Sequence, residues 1–412
     1  MQSIRLTSAT VLSHHRREGP LAPKSNSVRR GGVERIGRIE NGWARCCNNA
    51  VTEPITLQSR DGEDMQGEFL DWKFGSRIHY VAAGEQGPPI LMVHGFGAGS
   101  FHFTENIAEL SKDHQVWALD LLGQGRSWPG RDEDYPEELC LSIDTWTEQL
   151  YDFVQELIKE PVILMGNSLG GYLAVSFASK HPTLCRGLVL LNATPFWGFG
   201  PRPDVDKVWS SIWPYKGTVP APKGLKKWIE GMWWRRLRNP GNIRALLNLV
   251  YSSPVKDQVL IDQIVEATLH PTALDAFASI VFAPRAEFGF NEMLRKIQCS
   301  VCMIYGRDDP WVLPLWGQRL KRIVPDAMYY EVTPAGHCPH HERPGSVNSI
   351  ASQWITAIES GTFPPHEIGD NWEDVSEDGT VVTTTLVDGK PRTCVERFDV
   401  LVERLWKWFS RL

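Results

Sequence analysis

The 412-residue chain contains no run of eighteen apolar residues, so no part of it reads as a membrane-spanning helix. It also lacks an excess of basic charge. Its 43 Lys and Arg stand against 49 Asp and Glu, and the net charge of −6 argues against general nucleic-acid binding. Cysteine is sparse: eight in a chain this long make no disulfide framework, and Cys46 and Cys47 are adjacent. Cys299 and Cys302 form a CxxC, but it leads into the strand-like run SVCMIYG instead of opening a helix. These two read as buried structural thiols. His337, His340 and His341 cluster without zinc-type spacing or a second group of ligands, so neither a metal nor an organic cofactor is expected. The stretch ALDLLGQGRS has Gly123 and Gly125 but no third spaced glycine and no phosphate-binding lysine, which makes it a structural loop.

What is present starts with uneven charge. Residues 1–50 hold nine Lys and Arg against Glu18, Glu34 and Glu40, which leaves the rest of the chain at −12. The opening MQSIRLTSATVLSHHRR is rich in Ser, Thr and Arg, has no acid and has no long apolar core. That composition suits an organellar transit peptide, with a disordered basic tail as the alternative.

From about residue 68 to 360 short apolar runs alternate with amphipathic ones. PPILMVHG, QVWALDLLG, PVILMGN, GLVLLNAT, VCMIYG and MYYEVT read as strands, and the segments between them read as helices. In SIDTWTEQLYDFVQELIK, for instance, Ile143, Trp146, Leu150, Phe153 and Leu157 fall at helical spacing. This alternation implies an α/β fold, a mostly parallel sheet with helices on both faces. The core is expected over 68–194 and 299–360, with 195–298 as an inserted helical lid. Residues 361–412 form a C-terminal extension, with a hairpin expected around Asp388-Gly389 and an amphipathic helix after it. That helix aligns Phe398, Leu401, Leu405, Trp408, Phe409 and Leu412 on one face, which suits either docking on the core or lying on a membrane surface.

In such sheets chemistry gathers where strands end. MGNSLGG follows a strand and precedes a helix, the setting of a G-x-S-x-G nucleophile elbow, so Ser168 is the candidate nucleophile. A serine hydroxyl needs a base, and PAGHCPHH after MYYEVT supplies His337. The base needs a carboxylate to orient it. YGRDDPWV offers Asp309, with Asp308 as the alternative. The oxyanion formed in acyl transfer needs N–H donors, expected from Leu169 after the nucleophile and from Phe96 in HGFGAGS. His94 is expected to hold the shape of that loop.

Together these residues resemble an α/β-hydrolase and, more narrowly, the pheophytinases and related chloroplast chlorophyll-dephytylating hydrolases. The resemblance includes HGFGAGSFHF and VWALDLLGQGRSWP, and its narrower part rests on NATPFWGF and DDPWVLPLWG. The resemblance implies hydrolysis of the phytyl ester of pheophytin to pheophorbide and phytol. It also implies a chloroplast location; peripheral contact with thylakoid membrane, through the last helix, and contact with other chlorophyll-catabolic proteins are expected beside it. Phe196 and Trp197 sit where the lid meets the catalytic floor and are expected to touch substrate, whereas Trp209, Trp228, Trp233 and Trp234 are expected to pack lid helices together. A carboxylesterase or lipase acting on another lipid ester is the rival reading. A ligand receptor with vestigial turnover is another.

Overall fold

The computed structural model describes residues 53–130, 139–195, 215–284, 286, 288–362 and 367–409. Its strands are β1 (Thr56–Gln58), β2 (Asp64–Trp72), β3 (Ser76–Ala83), β4 (Pro89–Val93), β5 (Gln115–Leu119), β6 (Val162–Asn167), β7 (Cys185–Leu191), β8 (Ser300–Gly306), β9 (Met328–Thr333), β10 (Asn371–Val375) and β11 (Val381–Leu386). They form one sheet in the order β1-β2-β3-β5-β4-β6-β7-β8-β9-β11-β10. The six strands from β5 to β9 in that order are parallel, and those flanking them pair antiparallel.

Successive side chains of a strand point to opposite faces, and the apolar runs exploit this. In β4, Ile90 and Met92 enter one hydrophobic layer while Leu91 and Val93 enter the other. Helices Ile143–Phe153 and Leu169–Lys180 cover the second face through Trp146, Leu150, Leu173 and Phe177. Helices Thr104–Leu110 and Pro344–Ser360 cover the first through Ile107, Leu110, Ile350 and Trp354. Because both faces are covered, the central strands tolerate no polar alternation, and β4 and β6 are buried at every position. Helix Leu169–Lys180 is likewise buried from Leu169 to Ala178, which explains its near-continuous apolar and small residues.

Between β7 and β8 the described helices include Lys223–Ile229, Pro240–Val250, Gln258–Ala267, Ala273–Phe282 and Phe290–Leu294. Local chemistry sets where they start. Asn239 accepts from the Gly241 N–H with Pro240 in the first turn, and Asp257 accepts from the Leu260 N–H.

The structure differs from expectation at both ends of the described chain. β1 and the first half of β2 precede the expected core start at 68, and β2 hides its strand character behind exposed Asp64, Glu68 and Asp71. The C-terminal hairpin turns at Ser376–Thr380, not at Asp388-Gly389. There the Ser376 N–H donates to Thr380 O, and Asp378 accepts from Ser376 Oγ and the Thr380 N–H. β11 also pairs with β9, so the extension enlarges the core sheet and buries Val382 and Leu386. Gly389 instead bends the chain towards helix Cys394–Phe409, its carbonyl accepting from Arg322 Nη1. That helix is tied to the core by ion pairs of Asp399 with Arg319 and Arg322, while Val395, Phe398 and Leu401 remain exposed.

Candidate active site

Ser168 stands between the end of β6 and the first residue of helix Leu169–Lys180, with φ +53° and ψ −112°. Such a backbone is unusual for a residue with a side chain and is the kind of strain held at reacting groups. The neighbouring glycines are required by close backbone packing. A Cβ on Gly166 would lie 2.4 Å from the Gly170 carbonyl oxygen, and one on Gly170 would lie 2.0 Å from that of Val93.

Asp309 follows β8 and is nearly inaccessible, at 2% exposure. Its Oδ1 accepts from the N–H groups of Trp311 and Val312 at 2.7 and 3.0 Å. Its Oδ2 accepts from Asn192 Nδ2 at 2.8 Å and from His337 Nδ1 at 2.6 Å. Burial alone would raise its pKa, but the His337 contact and the backbone donors outweigh it and hold the carboxyl below its usual value. Asp308, the alternative, lies apart from His337 in its bonding. Its Oδ2 accepts from Thr333 Oγ1 and the Ala335 N–H, both at 3.1 Å, and so closes a turn.

His337 is fixed through its main chain as well. Its N–H donates to Val250 O at 2.8 Å, and its carbonyl accepts from Asn167 Nδ2 at 3.0 Å. Asn167 also donates to Leu191 O at 3.1 Å, so the residue before Ser168 ties the elbow to the histidine loop and to β7. Asn192, with φ +42°, receives the Gly306 N–H on Oδ1 at 2.8 Å while supporting Asp309. Neither asparagine stands out in the sequence, although Asn167 ends an apolar strand and Asn192 directly follows one.

The HGFGAGS loop lies against the nucleophile: a Cβ on Gly95 would be 3.3 Å from Ser168 Cβ. Phe96 follows, and its side chain faces the cavity described below. Leu169 begins the helix, where N–H groups have no intrahelical acceptor. His94 receives the Leu121 N–H on Nε2 at 2.9 Å and contacts Gly95 O through Nδ1 at 2.7 Å, and burial lowers its pKa. It is therefore a neutral brace for the loop. Gln124 adds a second brace, its Oε1 accepting from the Gly97 N–H at 2.7 Å. Asp120 is a third. It accepts from the N–H groups of Ser100 and Arg126 and from His79, and despite burial its pKa falls to about 2. Thus LLGQGRS, read as structural, pins the loop facing Ser168.

Ser168 and His337 open into one cavity of about 760 Å³. Its walls are mainly apolar, including Trp128, Trp234, Leu246, Phe277, Ile280 and Trp311. The Trp311 ring lies 6.0 Å from that of His337. Trp234 packs on Phe277 at 5.3 Å, as expected for a tryptophan joining helices, but it also borders the cavity, which spacing alone did not reveal. Trp228 is 47% exposed. Phe196, Trp197 and Trp209 lie outside the described residues, as does the Trp233 side chain. His340 and His341 do not enter the cavity wall. His340 packs against Phe103 and His102, and His341 against Tyr251.

Comparison with known proteins gives consistent similarities. Residues 90–350 match the model of the alpha/beta hydrolase family. The chain is 40% identical over 339 residues to chloroplastic pheophytinase of Arabidopsis thaliana, covering 74% of this chain and 70% of that protein. It is 27% identical to the (lyso)-N-acylphosphatidylethanolamine lipase of Homo sapiens, over 66% of this chain and 80% of that one. Among solved structures, the enol-lactonase from Burkholderia xenovorans LB400 aligns with a TM-score of 0.52 and 20% identity, over 70% of this chain and all of that chain, a likeness of fold.

Proposed function

The chain belongs to the alpha/beta hydrolase family and is an ester hydrolase of pheophytinase type, and we propose that it cleaves the phytyl ester of pheophytin to pheophorbide and phytol. One observation carries this reading. Ser168 and an Asp309-paired His337 share the wall of a large apolar cavity, which suits an ester whose alcohol is a long hydrocarbon.

In this mechanism Ser168 Oγ attacks the ester carbonyl as His337 takes its proton. Asp309 holds Nδ1–H, leaving Nε2 to act as base, and stabilises the imidazolium. The N–H groups of Phe96 and Leu169 receive the oxyanion. His337 then protonates the departing phytol, deprotonates the incoming water and so releases the acid. Phe196 and Trp197, at the start of the insertion, contact the pigment in the same reading, and the helices after them act as a lid. No resident metal or organic cofactor enters any step.

The test is a substrate panel of pheophytin, chlorophyll and short acyl esters, run on wild type and Ser168→Ala. Turnover of pheophytin by wild type and its loss in a folded Ser168→Ala supports the assignment. Near-normal activity of that variant defeats the site, and preference for short esters with no action on pheophytin defeats the substrate. The apolar cavity and the similarity to a lipase favour one second reading, a lipase on another lipid ester, which the same panel separates. Product limited to one molecule or fewer per protein would point instead to a receptor.

The likeness to a chloroplastic enzyme and the basic N-terminal segment support a chloroplast location. The exposure of Val395, Phe398 and Leu401 on the last helix supports peripheral thylakoid contact in this reading, to which contacts with other chlorophyll-catabolic proteins also belong. Phe398→Asp with Leu401→Asp should abolish sedimentation with galactolipid vesicles while leaving turnover of a soluble ester intact. Unchanged sedimentation removes the helix from this role.

A further inference from the structure

The thiols that meet in the fold are not those that are close in sequence. Cys302 points into the layer beneath helix Pro344–Ser360, whereas Cys299, an odd number of residues away, packs against the opposite layer. There its sulfur lies 3.6 Å from that of Cys185. Strands β7 and β8 run parallel with Gly187 opposite Ser300, so both cysteines lie at amino ends of strands. Ser168, at a carboxyl end, belongs to the far edge of the same sheet. Cys185 is buried, but Cys299 is half-buried between exposed Gln298 and Ser300, so reagents can reach it.

The geometry points to a second chemical site: Cys185 and Cys299 form a reversible disulfide that fastens the amino end of β7 to the amino end of β8 and so closes a ring around β7 and the helical insertion. A disulfide places its sulfurs about 2.05 Å apart, so the pair must close by about 1.5 Å. The ring so formed spans a sequence separation of 114 residues and encloses the whole segment between β7 and β8.

The thiols divide the chemistry. The hydrogen bond between them lowers the pKa of Cys299 and raises that of Cys185, an effect that burial reinforces at Cys185. Because Cys299 is the half-buried thiol that reagents can reach and Cys185 is buried behind it, Cys299 is the attacking thiolate. It displaces one thiolate from an external disulfide, such as glutathione disulfide, to give a mixed disulfide. Cys185 then loses its proton and attacks the Cys299 sulfur, releasing the second thiolate. Two protein thiols become one S–S bond, and the external disulfide is reduced to two thiols that take up both protons.

The full chain is equilibrated across ratios of glutathione to glutathione disulfide, alkylated, digested and mapped by mass. The expected result is a Cys185–Cys299 cross-linked peptide that grows with the disulfide fraction and vanishes with a dithiol reductant. It should persist in Cys302→Ala and be absent from Cys185→Ser and Cys299→Ser. Its absence from wild type at every ratio, or a Cys299–Cys302 link in its place, overturns the proposal. Oxidised wild type should also melt several degrees above reduced wild type, with no redox difference in Cys185→Ser. Equal Tm values in the two wild-type states would refute the fastening.

Discussion

Replacing Asp309 with Asn isolates the proton on the imidazole. Asp309 receives two backbone N–H groups on Oδ1 and two side-chain donors, Asn192 and His337, on Oδ2. An amide has one accepting oxygen. Keeping it on the N–H groups of Trp311 and Val312 avoids orphaning a part-buried and a buried donor, the latter at about 1–3 kcal/mol. The NH₂ then faces His337 Nδ1, which must become an acceptor, and the proton moves to Nε2, where it blocks acceptance from Ser168. Loss of the correct tautomer and of imidazolium stabilisation should lower kcat by roughly 10³–10⁴-fold. That corresponds to about 4–5.5 kcal/mol of barrier. KM should change little, since the Asp309 side chain is absent from the cavity wall. The assay is steady-state hydrolysis of pheophytin and of a short chromogenic ester, with circular dichroism to establish folding. Asp308→Asn is the matched control, because one amide oxygen can still accept from Thr333 and Ala335. A kcat for folded Asp309→Asn within about tenfold of wild type, or an equal loss in Asp308→Asn, would refute the assignment.

Three further outcomes follow. Trp234→Ala should raise KM for the large ester more than for a short one, since it removes part of the cavity wall, and equal changes in the kinetics of the two esters would return Trp234 to packing alone. Gly170→Ala, facing the Val93 carbonyl, should cost about 3 kcal/mol or more in urea unfolding, whereas Gly231→Ala, with open space at its Cβ, should be within about 1 kcal/mol of wild type. Asp120 has a folded pKa depressed to about 2, so its contribution is present above the unfolded carboxyl value and is lost as pH falls from about 4 to about 2. Asp120→Asn should therefore lose on the order of 2 kcal/mol of pH-dependent stability at neutral pH, with this term fading across that acid window; a stability difference from wild type that stays constant with pH would contradict the linkage.

The parallel sheet was legible because strands buried on both faces must be apolar throughout, and runs such as PVILM and VCMIY are too short for a buried helix. The loops carrying Ser168, Asp309 and His337 were legible for a related reason: each begins where such a run stops. The braces were not. Asn167, Asn192, Gln124 and Asp120 act through hydrogen bonds to residues distant in the chain, and no periodicity marks such contacts. The hairpin was misplaced because Asp378-Gly379 and Asp388-Gly389 carry the same turn chemistry, while NWEDV, exposed along most of its length, lacks the alternation that identifies a strand. Its pairing is fixed by β11, which is itself fixed by β9.

The added hairpin has a further consequence for solution behaviour. Without it, β9 would present the unpaired N–H and C=O groups of an apolar, aromatic strand, a template for joining a second chain edge to edge. With β11 and β10 in place, the outermost strand on that side is five residues long and carries Glu373 and Asp374, and the opposite margin ends on three-residue β1. Truncation after Gly361 should therefore produce aggregates before it reveals anything about membranes, which is why surface substitutions on the last helix are the cleaner probe.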